Sequence, residues 1–363
     1  MKMKLMMAVP CGLLLAAIPL AASAAGPALQ GYGADLSQTT VSGISSGGFM
    51  AAQLATAYSS MVKGVGVIAA GPYDCASTYP GQSPLQNAVT TCMSPFSAAV
   101  GPDAAVSWRS AQRRAQEGTI DPVANLARQR VYVFSGASDA TVRTIVVDQV
   151  AEYYRLAGVR QDAILYRRNE AGHAIITARE QDAACAETRA PYINNCGFSQ
   201  SAELLTHLSG ARSRPAATGP LTGIIIKFDQ REFIKGSRSS MDEAGYAYVP
   251  RECQDNACVV HVAFHGCQQG ASQLGERFYM GTGYNEYADA NRMIVLYPQV
   301  RPSGGIPPNP KGCWDFWGYS GEDQHRPDFQ TRSAPQMAAV IAMLQRLGQP
   351  RAAASAPAPA PAP

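Results

Sequence analysis

Gly43-Ile44-Ser45-Ser46-Gly47 is the stretch of this 363-residue chain best equipped for chemistry. It matches G-x-S-x-G, in which a serine at the apex of a strand-to-helix turn is held in a strained backbone conformation with its hydroxyl presented for attack. The glycines let the strand and the helix approach closely. Ser46 is a rival by type, but the pattern puts Ser45 at the apex, and Ser46 N–H at a helix start is suited to bind an oxyanion. A nucleophilic serine needs a base, and the base needs an acid to orient it. Asp139 in Ser135-Gly136-Ala137-Ser138-Asp139 and His173 in Asn169-Glu170-Ala171-Gly172-His173 each follow an apolar or β-branched run, in the chain order Ser, Asp, His expected of this chemistry. The other histidines are assigned elsewhere. His207 falls in a helical pattern and His325 in a polar loop, both as ordinary surface residues, and His261 lies within a strand that His265 follows.

Cys253, Cys258, His261 and His265 have the look of a zinc site. Val259-Val260-His261-Val262-Ala263-Phe264 is strongly β-prone, and in a strand the two histidines stand about 13 Å apart, beyond the reach of one ion. The metal reading is therefore set aside, and serine ester chemistry requires neither metal nor cofactor.

The elements that must position these groups are legible as short strands alternating with helical patterns. Expected strands are 38–42, 65–69, 130–134, 163–166, 221–228, 246–249, 259–264 and 293–297. Expected helices are 49–58, 145–156, 202–208, 284–290 and 336–347, the last with apolar residues at helical spacing and Gly348 as its stop. This alternation predicts an α/β fold with a mostly parallel sheet and helices on both faces. His265-Gly266-Cys267 follows a strand as an oxyanion-loop motif should, yet lies far downstream of the serine. A circularly permuted α/β-hydrolase fold accounts for this: residues 220–349 supply the first strands and the chain begins at the nucleophile strand. Residues 209–219 are then a surface crossover inside one catalytic domain, 25–349, rather than a boundary.

Composition narrows the class. Hydrophobic residues make up 46% and charged residues 16%, and the formal charge is +3. Removing residues 1–24, which hold Lys2 and Lys4 and no acid, leaves +1, so neither nucleic acid nor an anionic membrane is indicated. Lys2, Lys4, an apolar run and Ala22-Ser23-Ala24 read as a signal peptide over 1–24, implying secretion and no membrane attachment after its removal. Cys11 is discarded with it. Eight cysteines remain, an even number suited to disulfides in an exported protein, with local pairing expected: Cys75–Cys92, Cys185–Cys196, Cys253–Cys258 and Cys267–Cys313. Residues 350–363 form a Pro/Ala tract expected to stay extended and outside the core.

Val41–Leu54 (V-S-G-I-S-S-G-G-F-M-A-A-Q-L) is similar to the nucleophile region of extracellular polyhydroxybutyrate depolymerases of the single-domain, circularly permuted type. Further similar segments run in order: 70–75, 135–139, 191–196, 265–267, 282–285, 296–299 and 312–315. The resemblance implies Ser45, Asp139 and His173 as the triad, Ser46 and Cys267 as oxyanion donors, and His265 as a loop-shaping residue without a proton-transfer role. It also implies a shallow crevice with exposed aromatic and apolar walls, for which Tyr73, Trp314, Phe316 and Trp317 are the candidate polymer contacts. Phe316 stands where the family commonly has a second Trp. The expected partner is an insoluble polyester surface or its oligomers, met by a monomer. The alternatives are a feruloyl or acetylxylan esterase, which shares the serine chemistry, and an inactive binding protein, against which the intact Ser–Asp–His order argues.

Overall fold

The computed structural model describes residues 26–210, 213–324 and 326–351. The expected signal peptide, Cys11, His325, and the Pro/Ala tract beyond its first two residues lie outside the described residues. Eleven strands form where short β-branched and apolar runs occur: β1 (Asp35–Ile44), β2 (Val62–Ile68), β3 (Arg130–Gly136), β4 (Ile164–Asn169), β5 (Ile175–Thr177), β6 (Ala183–Ala184), β7 (Ile193–Asn195), β8 (Ile224–Asp229), β9 (Ala244–Val249), β10 (Val259–Phe264) and β11 (Met293–Tyr297). All eight expected strands are present with ends shifted by a few residues. Together they make one eight-stranded sheet in the order β4-β3-β2-β1-β10-β11-β9-β8, in which only β9 runs antiparallel to its neighbours. β5, β7 and β6 form a separate three-stranded sheet that periodicity did not reveal.

Side chains alternate across the large sheet as a strand period of two requires. Val131 and Val133 of β3 face one core with Val41, Val65, Val67, Val262 and Leu296, and Tyr132 and Phe134 face the other with Ile68, Ala263 and Val295. The first face is covered by α1 (Ser46–Ala57), α2 (Pro84–Val89), α3 (Ala104–Gln116) and α4 (Thr144–Leu156). The second is covered by α5 (Gln200–Ser209). Later come the short α6 (Arg251–Asp255), α7 (Ala271–Leu274) and α8 (Arg277–Gly281), then α9 (Tyr284–Ala290) and α10 (Pro335–Gly348). α10 packs its Met337, Val340, Leu344 and Leu347 stripe into the first core.

The strand order carries the permutation. Read from β8, the sheet runs through four strands of the second half of the chain and then four of the first, with β1 hydrogen-bonded to β10 on one side and β2 on the other. α10 delivers the chain back to the start of β1. Tyr32 and Ala34 donate their N–H groups to the Leu347 carbonyl at 2.9 and 3.0 Å, and Gly33 donates to Gln349 at 2.8 Å.

Candidate active site

β1 ends in a turn at Ser45 (φ 56°, ψ −127°), and α1 leaves at once from Ser46. The two glycines are dictated by contact: a Cβ at Gly43 would meet the Gly47 carbonyl oxygen at 2.2 Å, and one at Gly47 would meet the His265 oxygen at 2.4 Å. The turn is held by Ser45 N–H on the Ile68 carbonyl (2.9 Å) and by Gly48 and Phe49 N–H on the Ser45 carbonyl. Ser45 lines a cavity of about 370 Å³, and the neighbouring Ser46 hydroxyl is buried.

Asp139 follows β3 and His173 follows β4. The two loops are tied by Ser138 N–H on the Ala171 carbonyl at 3.0 Å. Asp139 Oδ1 accepts from Thr141 and Val142 N–H at 2.8 and 2.9 Å, which turns Oδ2 toward His173 Nδ1 at 2.7 Å. The His173 N–H donates to Thr188 Oγ1 at 2.9 Å, and Gly172 is packed so closely that a Cβ would meet the Glu187 oxygen at 2.1 Å. The loop carrying His173 is thus seated on the small β5–β7–β6 sheet and its Cys185–Cys196 disulfide. His173 lines the same cavity as Ser45. Among the described residues the Ser45 hydroxyl has no hydrogen-bond partner within reach.

The loop of Cys267, the expected second oxyanion donor, follows β10. A single tautomer of His265 fits its partners. Nε2 accepts from Val300 N–H (3.2 Å), so Nδ1 carries the proton and donates to the Gly266 carbonyl (2.7 Å). Burial lowers the His265 pKa to about 4, which keeps this neutral form. The Gly266 carbonyl also accepts from Gln269 N–H at 3.2 Å. In a trans peptide the C=O and the next N–H point in opposite directions. Pinning the Gly266 oxygen therefore turns Cys267 N–H away from His265, and Cys267 lines the cavity beside Ser46. Cys267 is bonded to Cys313, and Gln268 N–H donates to the Lys311 carbonyl at 2.8 Å, fixing the loop to the far wall. All four disulfides join the expected pairs.

The remaining histidines do other work. His261 is buried in β10 with Nδ1 2.7 Å from Thr40 Oγ1 and Nε2 2.8 Å from Ser42 Oγ, and Cys253 is disulfide-bonded to Cys258, so the residues of the zinc reading are engaged elsewhere. His207 is half-buried, with Nε2 3.0 Å from the Ala163 carbonyl.

The crevice walls differ from the expectation in part. Phe316 and Trp317 line the cavity. Phe316 is stacked on Phe49 at 4.1 Å and is met edge-on by Trp317 at 5.0 Å. Tyr73 and Trp314 do not line it, and both are fully buried, which corrects their assignment as polymer contacts. Tyr73 donates to the Gln330 carbonyl at 2.7 Å and stacks on Tyr153. Trp314 sits under the Cys267 loop against Phe264 and His265. The wall residues that sequence reading missed are Leu85, Ala88 and Val89 of α2, together with Met93, Val142 and Tyr192. Pro84 at the start of α2 and the Ser83–Gln86 capping box were the available signals for that helix.

No protein-family model matches the chain. The chain is 34% identical over 342 residues to the polyhydroxybutyrate depolymerase of Talaromyces funiculosus, covering 90% of this chain and 94% of that protein. The chain belongs to the polyhydroxybutyrate depolymerases. Membership in that family makes it a carboxylic ester hydrolase. It is also 38% identical over 318 residues to the poly(3-hydroxybutyrate) depolymerase of Delftia acidovorans, of whose length it spans 60%. Two solved depolymerase chains, one from Penicillium funiculosum and one complexed with an R3HB trimer, match with a TM-score of 0.76 at 32% and 33% identity. Each covers 88% of this chain and 98% of its own. A match to acetylxylan esterase A of Emericella nidulans is confined to 98 residues, 25% of the chain.

Proposed function

We propose that this chain is a secreted, monomeric serine esterase that hydrolyses poly(3-hydroxybutyrate) or a closely related polyester to short hydroxyacid products. The observation that carries the reading is the Asp139–His173 pair at 2.7 Å, with His173 lining the same apolar cavity as the strained Ser45, Ser46 and Cys267. Ser45 Oγ attacks the ester carbonyl as His173 Nε2 takes its proton. Asp139 holds Nδ1–H and stabilises the imidazolium. The Ser46 and Cys267 N–H groups stabilise the tetrahedral oxyanion. The alcohol fragment leaves with the proton from His173, and water then enters by the same base and releases the acid from Ser45. Leu85, Val89, Phe316 and Trp317 give the crevice an apolar wall suited to methyl-branched polyester units. The depolymerase relatives support the substrate class, and the four disulfides support an oxidising compartment. The acetylxylan esterase match is too short to favour the alternative. Incubation with poly(3-hydroxybutyrate) film should release soluble 3-hydroxybutyrate or its oligomers, and Ser45→Ala should release none. Film left intact by the wild type, with feruloyl or acetyl esters cleaved instead, would overturn the substrate assignment.

A further inference from the structure

The oxyanion donor and the base come from distant parts of the chain, and their disulfides do not join them: Cys267 is bonded to Cys313, and the loop after His173 is closed by Cys185–Cys196. Two adjacent side chains, Gln268 and Gln269, reach from one loop to the other, and Gln269 makes the larger set of bonds. Gln269 is buried, with Oε1 accepting from Gly266 N–H at 2.7 Å and Nε2 donating to the Pro191 and Tyr192 carbonyls, each at 3.0 Å. Its orientation is fixed by its partners, since rotating the amide would oppose donors to Gly266 N–H and an oxygen to two carbonyls. On the oxyanion side, Gln269 holds both faces of Gly266, through its side chain to the N–H and through its own N–H to the carbonyl. On the other side it holds Tyr192, whose ring meets His173 edge-on at 6.1 Å and whose hydroxyl donates to Gln268 Oε1 at 3.0 Å. Tyr192 occupies a left-handed conformation (φ 57°), and its carbonyl also accepts from Ile175 N–H, the first residue of β5.

We propose that Gln269 is a positioning residue that sets the separation between the Cys267 oxyanion donor and the His173 imidazole. The proposal rests on the triad and oxyanion assignment above. The transition state needs both groups placed on one tetrahedral centre, whereas the bound ester needs neither so closely, so losing the link lowers kcat and leaves KM nearly unchanged.

The test uses the full chain and the soluble substrate p-nitrophenyl butyrate. Gln269→Ala removes the three side-chain bonds of the clamp and keeps its backbone N–H on the Gly266 carbonyl. kcat should fall on the order of 100-fold, the loss typical of one oxyanion donor, with KM within about threefold and Ser45 labelling by a fluorophosphonate slowed in parallel. Gln269→Glu keeps the shape and the acceptor for Gly266 N–H but sets a carboxylate against two carbonyl oxygens. Protonation returns one donor, so its kcat relative to wild type should rise as pH is lowered from 8 to 6. His173, His265 and Tyr192 are the titratable groups around this position, and the full pH profile of each protein is recorded so that a displaced His173 limb is seen apart from the Gln269→Glu ratio. Gln269→Ala with kcat within threefold of wild type overturns the proposal, as does a Gln269→Glu ratio that does not change with pH. If Gln269→Ala does not fold, the Gln269→Glu ratio decides alone. Wild type that leaves polyester film intact while these kinetics hold refutes the substrate reading and leaves the positioning role standing. A Ser45→Ala variant that keeps its activity refutes both.

Discussion

Asp139 divides its carboxylate between the backbone and the base. Because Oδ1 is occupied by Thr141 and Val142 N–H, Oδ2 has one geometry available, and His173 Nδ1 meets it. Asp139→Asn keeps the size of the side chain but places an amide N–H where an acceptor is needed, favouring the wrong imidazole tautomer. kcat on p-nitrophenyl butyrate should fall about 10⁴-fold with little change in melting temperature. A loss below tenfold would show that His173 is oriented by something else. The sequence makes these side chains legible because G-x-S-x-G has a mechanical meaning and only five histidines compete for the role of base. It does not make Tyr73 or Trp314 legible. Both lie in segments outside any strand or helix, where no period tells which side of the chain faces the core, and both point inward. Gln269 escaped for a related reason: nothing in its local spacing announces that Pro191 and Tyr192 are its partners.

Among the secondary-structure elements, most of the long periodic ones are readable and the shortest are not, with α3 (13 residues) the long helix that sequence reading missed. β1, β2, β3 and β10, together with α1, α4 and α10, carry enough β-branched or 3.6-spaced apolar residues to declare themselves. β5, β6 and β7 have two or three residues each, too few for a period to emerge, yet they seat the loop that carries His173. Cysteine spacing compensates in part, since local pairing marked the Cys185–Cys196 and Cys267–Cys313 loops without showing what they brace. The second of these has a testable role. Its ends are 46 residues apart, so the cross-link contributes about 4 kcal/mol on chain-entropy grounds. A Cys267→Ala/Cys313→Ala double variant should melt on the order of 10 °C lower by calorimetry. Its kcat should also fall, because Gln268 N–H on Lys311 is then the remaining direct tie between the loop and the far wall. Unchanged kcat would mean that hydrogen bonds alone position the oxyanion donor.

At the scale of the molecule, two buried imidazoles, His261 and His265, add to acid sensitivity. Desolvation lowers His261 to about 3 and His265 to about 4, well below the ordinary histidine value. The folded state holds both neutral while the unfolded chain protonates them near pH 6.5. Their contribution is therefore complete above pH 6.5 and lost as pH falls, at roughly 1.4 kcal/mol per pH unit for each. Urea unfolding midpoints should decline from pH 7 to pH 4.5, and His261→Gln should show a shallower decline despite lower stability at pH 8. Parallel slopes for the two proteins would refute the assignment of His261. The interleaved sheet has a further consequence for how the enzyme comes into being. The segment bearing the serine is synthesised first, with one flank of its strand bare and the proposed oxyanion site holding only its Ser46 donor. Both deficiencies persist until Val259–Phe264 and the loop after it have been made and have docked. On the proposed assignment the nucleophile, the base and one oxyanion donor are made early, and the second donor completes the site late.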